Sequence, residues 1–170
     1  MKGYIHLYTG NGKGKTTAAI GLAVRASGAG KKVYIAQFVK GMHYGELDAL
    51  KKLPSIKLAQ YGLDCFIVNR PTPKDIDAAR KGLEEVSRVI AGNQFNVVIL
   101  DEICIALYYK LFTTEEVLSV IRNKPVEMEI VMTGRYAPQE LIAAADLVTE
   151  MNEIKHYYQQ GIEARKGIEF

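Results

Sequence analysis

Residues 9–17 read TGNGKGKTT. Gly10, Gly12 and Gly14 alternate with Asn11 and Lys13 and run into Lys15, Thr16 and Thr17. Glycine has no Cβ, so such a loop can turn sharply and aim its N–H groups inward. Converging N–H groups form a nest for anions, and the unbonded N–H groups of a following helix start extend it. Lys15 supplies a point charge for phosphate oxygens, and Thr16 supplies a hydroxyl for Mg²⁺. The chemistry this spacing points to is polyphosphate binding. The loop alone does not say which bond breaks.

Two further groups have the right chemistry to join it. An acidic pair, Asp101-Glu102, directly follows the apolar run FNVVIL at 95–100. A carboxylate at a strand tip can hold or orient the Mg²⁺ that Thr16 also holds, and a second can ligate or polarise a water. The alternative is a helix start carrying acids that its dipole favours. Arg135 follows the run 128–132 in the sequence TGR. It belongs either to the same crevice, as a phosphate ligand, or to the outer surface.

The elements that must position these residues follow from their flanks. The β-rich run 4–8 precedes the glycine loop and a helical run, 18–26, follows it. Strand, glycine loop and helix opening on Lys-Thr is the P-loop arrangement. The strict pattern carries a glycine where this chain has Thr9.

Strand and helix patterns alternate along the chain, which predicts an α/β fold in three layers, a mostly parallel sheet with helices on both faces. No repeat, linker or low-complexity segment divides it, so 1–170 is expected to be one nucleotide-binding domain. Helix 15–27 is expected to pack on the sheet through Ile20, Ala23, Val24 and Ser27, its small residues permitting close approach. Arg25, about 13 Å along that helix from Thr16, is expected on the surface. Strand 33–39 ends near Gln37, a polar residue at a strand tip, where α/β folds bind ligands. His43, alone in the loop 40–46, is expected in solvent. A helix over 46–53 is stopped by Pro54, and strand 56–61 leads into an apolar stretch, 62–68, without clear period. Thr72 and Asp75 form a capping-box-like pair opening a helix to residue 91. Its inner stripe is Ile76, Ala79, Leu83, Val86 and Ile90. A short helix over 103–109 precedes another over 115–122, capped by Thr113 or Thr114. Beyond strand 128–132 come helix 139–145 and strands 146–151 and 154–158. The tail 161–170 is expected either to close over the site or to add an edge strand.

Composition narrows the class. The 170 residues are 48% hydrophobic and 24% charged, ordinary for a soluble globular chain with a full core. Net charge is +3 without a long basic run, which argues against nucleic acid as partner. Cys65 and Cys104 lack metal-ligand spacing and suggest a reducing compartment. No stretch is long and apolar enough to span a bilayer, and the chain opens directly on a strand pattern; a cytoplasmic protein without membrane association is expected.

Taken in order, TGNGKGKTTAA, QFVKG followed by GE, VILDEI, VMTGR, VTEMNEIKH and GIEARKGIEF resemble the P-loop type of ATP:cob(I)alamin adenosyltransferase, the corrinoid adenosyltransferase family. The resemblance spans nearly the whole chain and implies a P-loop NTPase (RecA-like) fold. It implies that Co(I) of a reduced corrinoid attacks the ribose 5′ carbon of ATP and that triphosphate leaves whole. ATP would lie on the loop in the reverse of the ordinary sense. By the same resemblance Asn11, Gly12, Lys13, Gly14, Lys15, Thr16 and Thr17 hold ATP, with Gly10 and Arg135 as the further candidate ATP-binding residues. Thr16 and Glu102 hold Mg²⁺ with Asp101 in support, and Lys15 and Glu102 are the catalytic pair. A flavoprotein reductant is the family's usual partner, and members are often homodimers. The protein's other task is to strip the lower cobalt ligand so that Co(II) is more easily reduced. Familiar members cover the corrinoid with an N-terminal helical extension and carry a Gly-Phe-Thr-Trp stretch. Here the chain opens on the first strand, residues 62–66 read GLDCF, and there is no Trp. Tyr61, Leu63 and Phe66 are candidates to replace those aromatics, the alternative being plain core. Rival functions are a conventional P-loop ATPase or kinase, and a nucleotide or corrinoid binder without turnover.

Overall fold

A computed structural model describes residues 2–63, 67 and 70–170. Its strands are β1 (Ile5–Thr9), β2 (Val33–Phe38), β3 (Ile56–Tyr61), β4 (Val97–Asp101), β5 (Glu129–Thr133) and β6 (Leu147–Glu150). Its α-helices are α1 (Lys15–Gly28), α2 (Gly45–Leu50), α3 (Pro73–Gly92), α4 (Ile103–Tyr108), α5 (Thr114–Arg122) and α6 (Gln139–Ala144). The strands form one sheet in the order β3-β2-β4-β5-β1-β6, and each pairing is parallel. Parallel pairing puts every strand's C-terminal end on one edge. The glycine loop after β1, the acidic pair after β4, Arg135 after β5 and the loop after β2 therefore share that edge.

The central strands β2, β4 and β5 are buried on both faces, so they read as nearly continuous apolar runs. Alternation sorts them. Tyr34, Ala36, Phe38, Val98, Leu100, Ile130 and Met132 join the core built with α3, α4, α5 and α6. Val33, Ile35, Val97, Ile99 and Val131 join the opposite core with α1 and Leu50 of α2. α3 opens as expected: Thr72 and Asp75 close a full capping box ahead of Pro73. Thr113 and Glu116 do the same for α5. Each such cap stabilises its helix by about 1 kcal/mol.

Two expectations are corrected, and for the tail one of two alternatives is excluded. α1 buries Ala19, Ala23 and Ala26, while Val24 is 46% exposed. The alanines let the helix lie closest to the sheet, and this rotates Val24 outward. The expected strand over 154–158 does not form; residues 157–160 make a 3₁₀ turn. Just past β6, Met151 N still donates to Thr9 O of β1 at 2.9 Å, and Met151 O accepts from Gly12 N at 2.6 Å. The tail 161–170 adds no strand and folds in turns beside the glycine loop.

Tyr61, one of the three corrin-facing candidates, is half-buried and packs against the core. Its ring packs 5.8 Å from that of Phe38, its hydroxyl meets that of Tyr34 at 2.6 Å, and it lies over Gly82 of α3. Leu63 contributes its backbone, which lies against Gly41. Phe66 and Cys65 lie outside the described residues.

Candidate active site

The glycine loop is held in shape from two sides. Gly14, with φ of 116°, turns the chain into α1 in a conformation that an L side chain rarely adopts. Gly12 lies flat against the segment after β6: a Cβ there would sit 2.7 Å from Met151 O. Its N–H is bonded to that same carbonyl, so one of the loop's N–H groups is committed to the protein and not to an anion. The remaining predicted ligands divide by exposure. Lys15 is 6% exposed, whereas Asn11, Lys13, Thr17 and Arg135 are exposed. Asn11 and Arg135 line one polar cleft of about 500 Å³, together with Tyr136, Asn152 and Glu153.

Lys15 donates to Gly10 O and Gly12 O, each at 2.7 Å. Burial lowers its pKa from the ordinary value, and Arg135 adds to that, while Glu102 and Asp101 pull the other way. The largest part of that shift is the cost of burying the charge, which phosphate oxygens beside the ammonium would offset.

Asp101, 1% exposed, is the hub of the site. Its Oδ1 accepts from Thr16 Oγ1 at 2.8 Å and from Thr133 Oγ1 at 2.7 Å. Its Oδ2 accepts from Lys40 Nζ at 2.8 Å and Gln37 Nε2 at 3.2 Å. Gln37 accepts in turn from Gln60 Nε2 at 3.2 Å. The neighbouring Glu102 has φ of 60°, left-handed backbone that costs a non-glycine residue about 1–3 kcal/mol. Thr133 Oγ1, accepting from Glu102 N at 2.9 Å, helps hold it there. Burial raises the Glu102 carboxyl above its ordinary pKa, and Asp101 raises it further; Lys40, Lys15 and Arg135 oppose the rise.

These groups suit a hard divalent ion. Two crowded carboxylates and a hydroxyl are oxygen donors, and a dication would relieve the repulsion that raises Glu102. Among the described residues no group of three or more His, Cys, Asp or Glu converges. An ion bound here would complete its shell with water or with substrate oxygens.

Lys40, Thr133 and Met151 went unnoticed in the sequence as site residues. Lys40 lies two residues past the tip of β2, and the rule that placed Arg135 in the crevice applies to it equally. Cys104 is buried and free, and burial, with Glu102 beside it, pushes its thiol up to about 12. That is the opposite of an activated nucleophile. His43 is in solvent, paired with Asp48 at 3.1 Å.

The tail meets the loop at Lys13, whose Nζ donates to Ile168 O at 2.8 Å and Glu169 Oε1 at 2.7 Å. Tyr157 also donates to Glu169, and Arg165 N donates to its Oε2 at 2.7 Å. Lys13, then Tyr157, hold the Glu169 pKa down at about 2 against an ordinary 4.5. A depressed carboxyl contributes stability that is complete above the ordinary value and lost as pH falls through the folded one. The Arg165 amide resonance should therefore titrate with a midpoint well below 4.5, and Glu169→Gln should abolish that titration. A midpoint at 4.5 would show that tail and loop are not clamped in solution.

The sheet, the glycine loop and the acidic strand tip define a P-loop nucleotide-binding protein of the doubly wound α/β class. The family model described as ATP:corrinoid adenosyltransferase BtuR/CobO/CobP matches residues 1–170, and this chain belongs to that family. It is 34% identical over 171 residues to the corrinoid adenosyltransferase of Escherichia coli K12, covering 99% of this chain and 86% of that one. Identity to the corrinoid adenosyltransferase of Pseudomonas aeruginosa is 35%, over 99% and 84% of the two chains. For that of a Sinorhizobium species it is 38%, over 99% and 81%. No helix among the described residues is long and apolar enough to cross a membrane.

Proposed function

We propose that this chain transfers the 5′-deoxyadenosyl group of ATP to the Co(I) centre of a reduced corrinoid. The cobalt electron pair forms the Co–C5′ bond. The C5′–O5′ bond breaks, and its pair leaves on triphosphate. The observation that carries this reading is the buried Lys15 ammonium at the mouth of α1, held by the Gly10 and Gly12 carbonyls in a family-matched chain. Charge that develops on the departing triphosphate is met by Lys15, by loop and helix N–H groups, and by Arg135 across the cleft. Co(I) brings no proton to remove, so the reaction needs no general base, in keeping with a Cys104 thiol held neutral. Thr16 and Glu102, with Asp101 behind them, would hold Mg²⁺, which neutralises phosphate charge when bound.

A cytoplasmic setting, where reductant and ATP are both at hand, suits this chemistry. The reductant is of flavoprotein type. Strand β6, exposed along its length at the sheet edge, supports pairing with a second copy. The test is anaerobic incubation of the protein with ATP and chemically reduced corrinoid, with identification of the phosphate product. Corrinoid-dependent release of inorganic triphosphate with the spectrum of an alkyl-cobalt species is expected. ADP or AMP as product would make it a conventional ATPase or kinase. Tight ATP binding without a cobalt–carbon bond would make it a carrier.

A further inference from the structure

Two of the three side chains proposed to hold the divalent ion, Asp101 and Thr16, already hold a cation. Lys40 Nζ lies 2.8 Å from Asp101 Oδ2 and 3.5 Å from Thr16 Oγ1. The pair is largely out of water, with side-chain exposures of 13% for Lys40 and 2% for Asp101. Thr16 donates to the other oxygen of the same carboxylate, so the three groups close into a triangle. A dication drawing on the Thr16 oxygen and an ammonium at hydrogen-bonding range of that oxygen repel strongly in a site so poor in water.

We propose that Lys40 is a tethered counter-ion that fills the divalent-cation position until nucleotide arrives, so that metal and triphosphate enter together.

The charges explain the coupling. Before nucleotide arrives, Lys15, Lys40 and Arg135 face Asp101, Glu102 and Glu46, three charges of each sign. Metal alone would add a double positive charge to a balanced cluster and strand the Lys40 ammonium without its carboxylate. Metal with ATP adds net negative charge and offers phosphate oxygens to the displaced ammonium. Lys40 has the means to move. It stands in the loop between β2 and α2 on a flexible four-carbon stem with three donors. Its Nζ already lies 5.1 Å from the Tyr44 ring, a contact open to the cation once it leaves Asp101.

This inference rests on the proposed metal site, and its test separates the two. Mn²⁺ is the probe, with binding followed by electron paramagnetic resonance in wild type and Lys40→Met, each with and without ATP. Wild type should bind Mn²⁺ weakly alone and tightly with ATP. In Lys40→Met, Mn²⁺ alone should bind at least about tenfold more tightly, and the enhancement by ATP should shrink by at least about tenfold. A Lys40 that stayed in place as a fixed charge would shift both affinities alike. Equal enhancement in the two proteins therefore overturns the proposal. A wild-type crystal soaked with Mn²⁺ and ATP supplies the check that needs no variant. An anomalous peak beside Thr16 with Lys40 withdrawn from Asp101 supports the exchange; the same peak with the Lys40–Asp101 bond intact overturns it. Absence of Mn²⁺ binding even with ATP would overturn the metal site itself, and this inference with it.

Discussion

Lys15→Ala is expected to lower the rate of adenosyl transfer by about 10²–10³-fold, the usual loss when one preorganised charge-stabilising donor is removed. The Lys15 ammonium is 6% exposed and rests on two loop carbonyls at 2.7 Å, so its position is fixed before substrate arrives. Its effect should fall on the bond-breaking step more than on binding. Negative charge on the triphosphate oxygens grows as C5′–O5′ breaks, and a fixed cation stabilises that state more than the ground state. Lys15→Arg should not restore the rate, because a planar guanidinium does not fit where a compact ammonium sits between two carbonyls. The measurement is the anaerobic rate of alkyl-cobalt formation at saturating ATP, with circular dichroism to establish that the fold survives. Wild-type turnover in Lys15→Ala would mean that the loop does not stabilise the leaving group.

The sequence shows this loop plainly because its signal is local. Three glycines, a lysine and a threonine lie within nine residues, between a strand and a helix. The capping boxes at Thr72 and Thr113 are legible for the same reason, since each lies within four residues. The long-range parts are less legible. Asp101 can be found as an acid at a strand tip, but its role as hub depends on Lys40, Gln37, Thr16 and Thr133 arriving from three other parts of the chain. Only the strand order brings these together, and no spacing in the sequence encodes it. The α1 face misleads for a different reason. Periodicity counts hydrophobicity, so it favours Val24; packing distance favours the smaller Ala19, Ala23 and Ala26. The expected strand at 154–158 has suitable residue types, but Met151 just before it is committed to Thr9 and Gly12, and the chain runs on into a 3₁₀ turn at Tyr157–Gln160.

Asp101 is where the largest loss of stability is expected. Asp101→Ala should lower the free energy of unfolding by about 3 kcal/mol or more, because removing one member of a buried ion pair leaves the other charged and uncompensated. Lys40 would lose its carboxylate, and Thr16, Thr133 and Gln37 would lose an acceptor. Distance does not set this magnitude. Lys81 and Asp77 on α3 are also 2.8 Å apart, but their side chains are 69% and 64% exposed. Asp77→Ala should change stability by less than about 0.5 kcal/mol, because water and salt already screen that pair. If burial is what makes Asp101 costly to lose, removing the stranded charge should recover part of the loss. Lys40→Met combined with Asp101→Ala should be less damaging than the sum of the two single changes by about 1–3 kcal/mol. Urea unfolding of the four proteins at neutral pH measures this directly. Strict additivity would mean that Lys40 and Asp101 do not interact in solution, and the hub would reduce to the hydroxyl and amide bonds around one carboxylate.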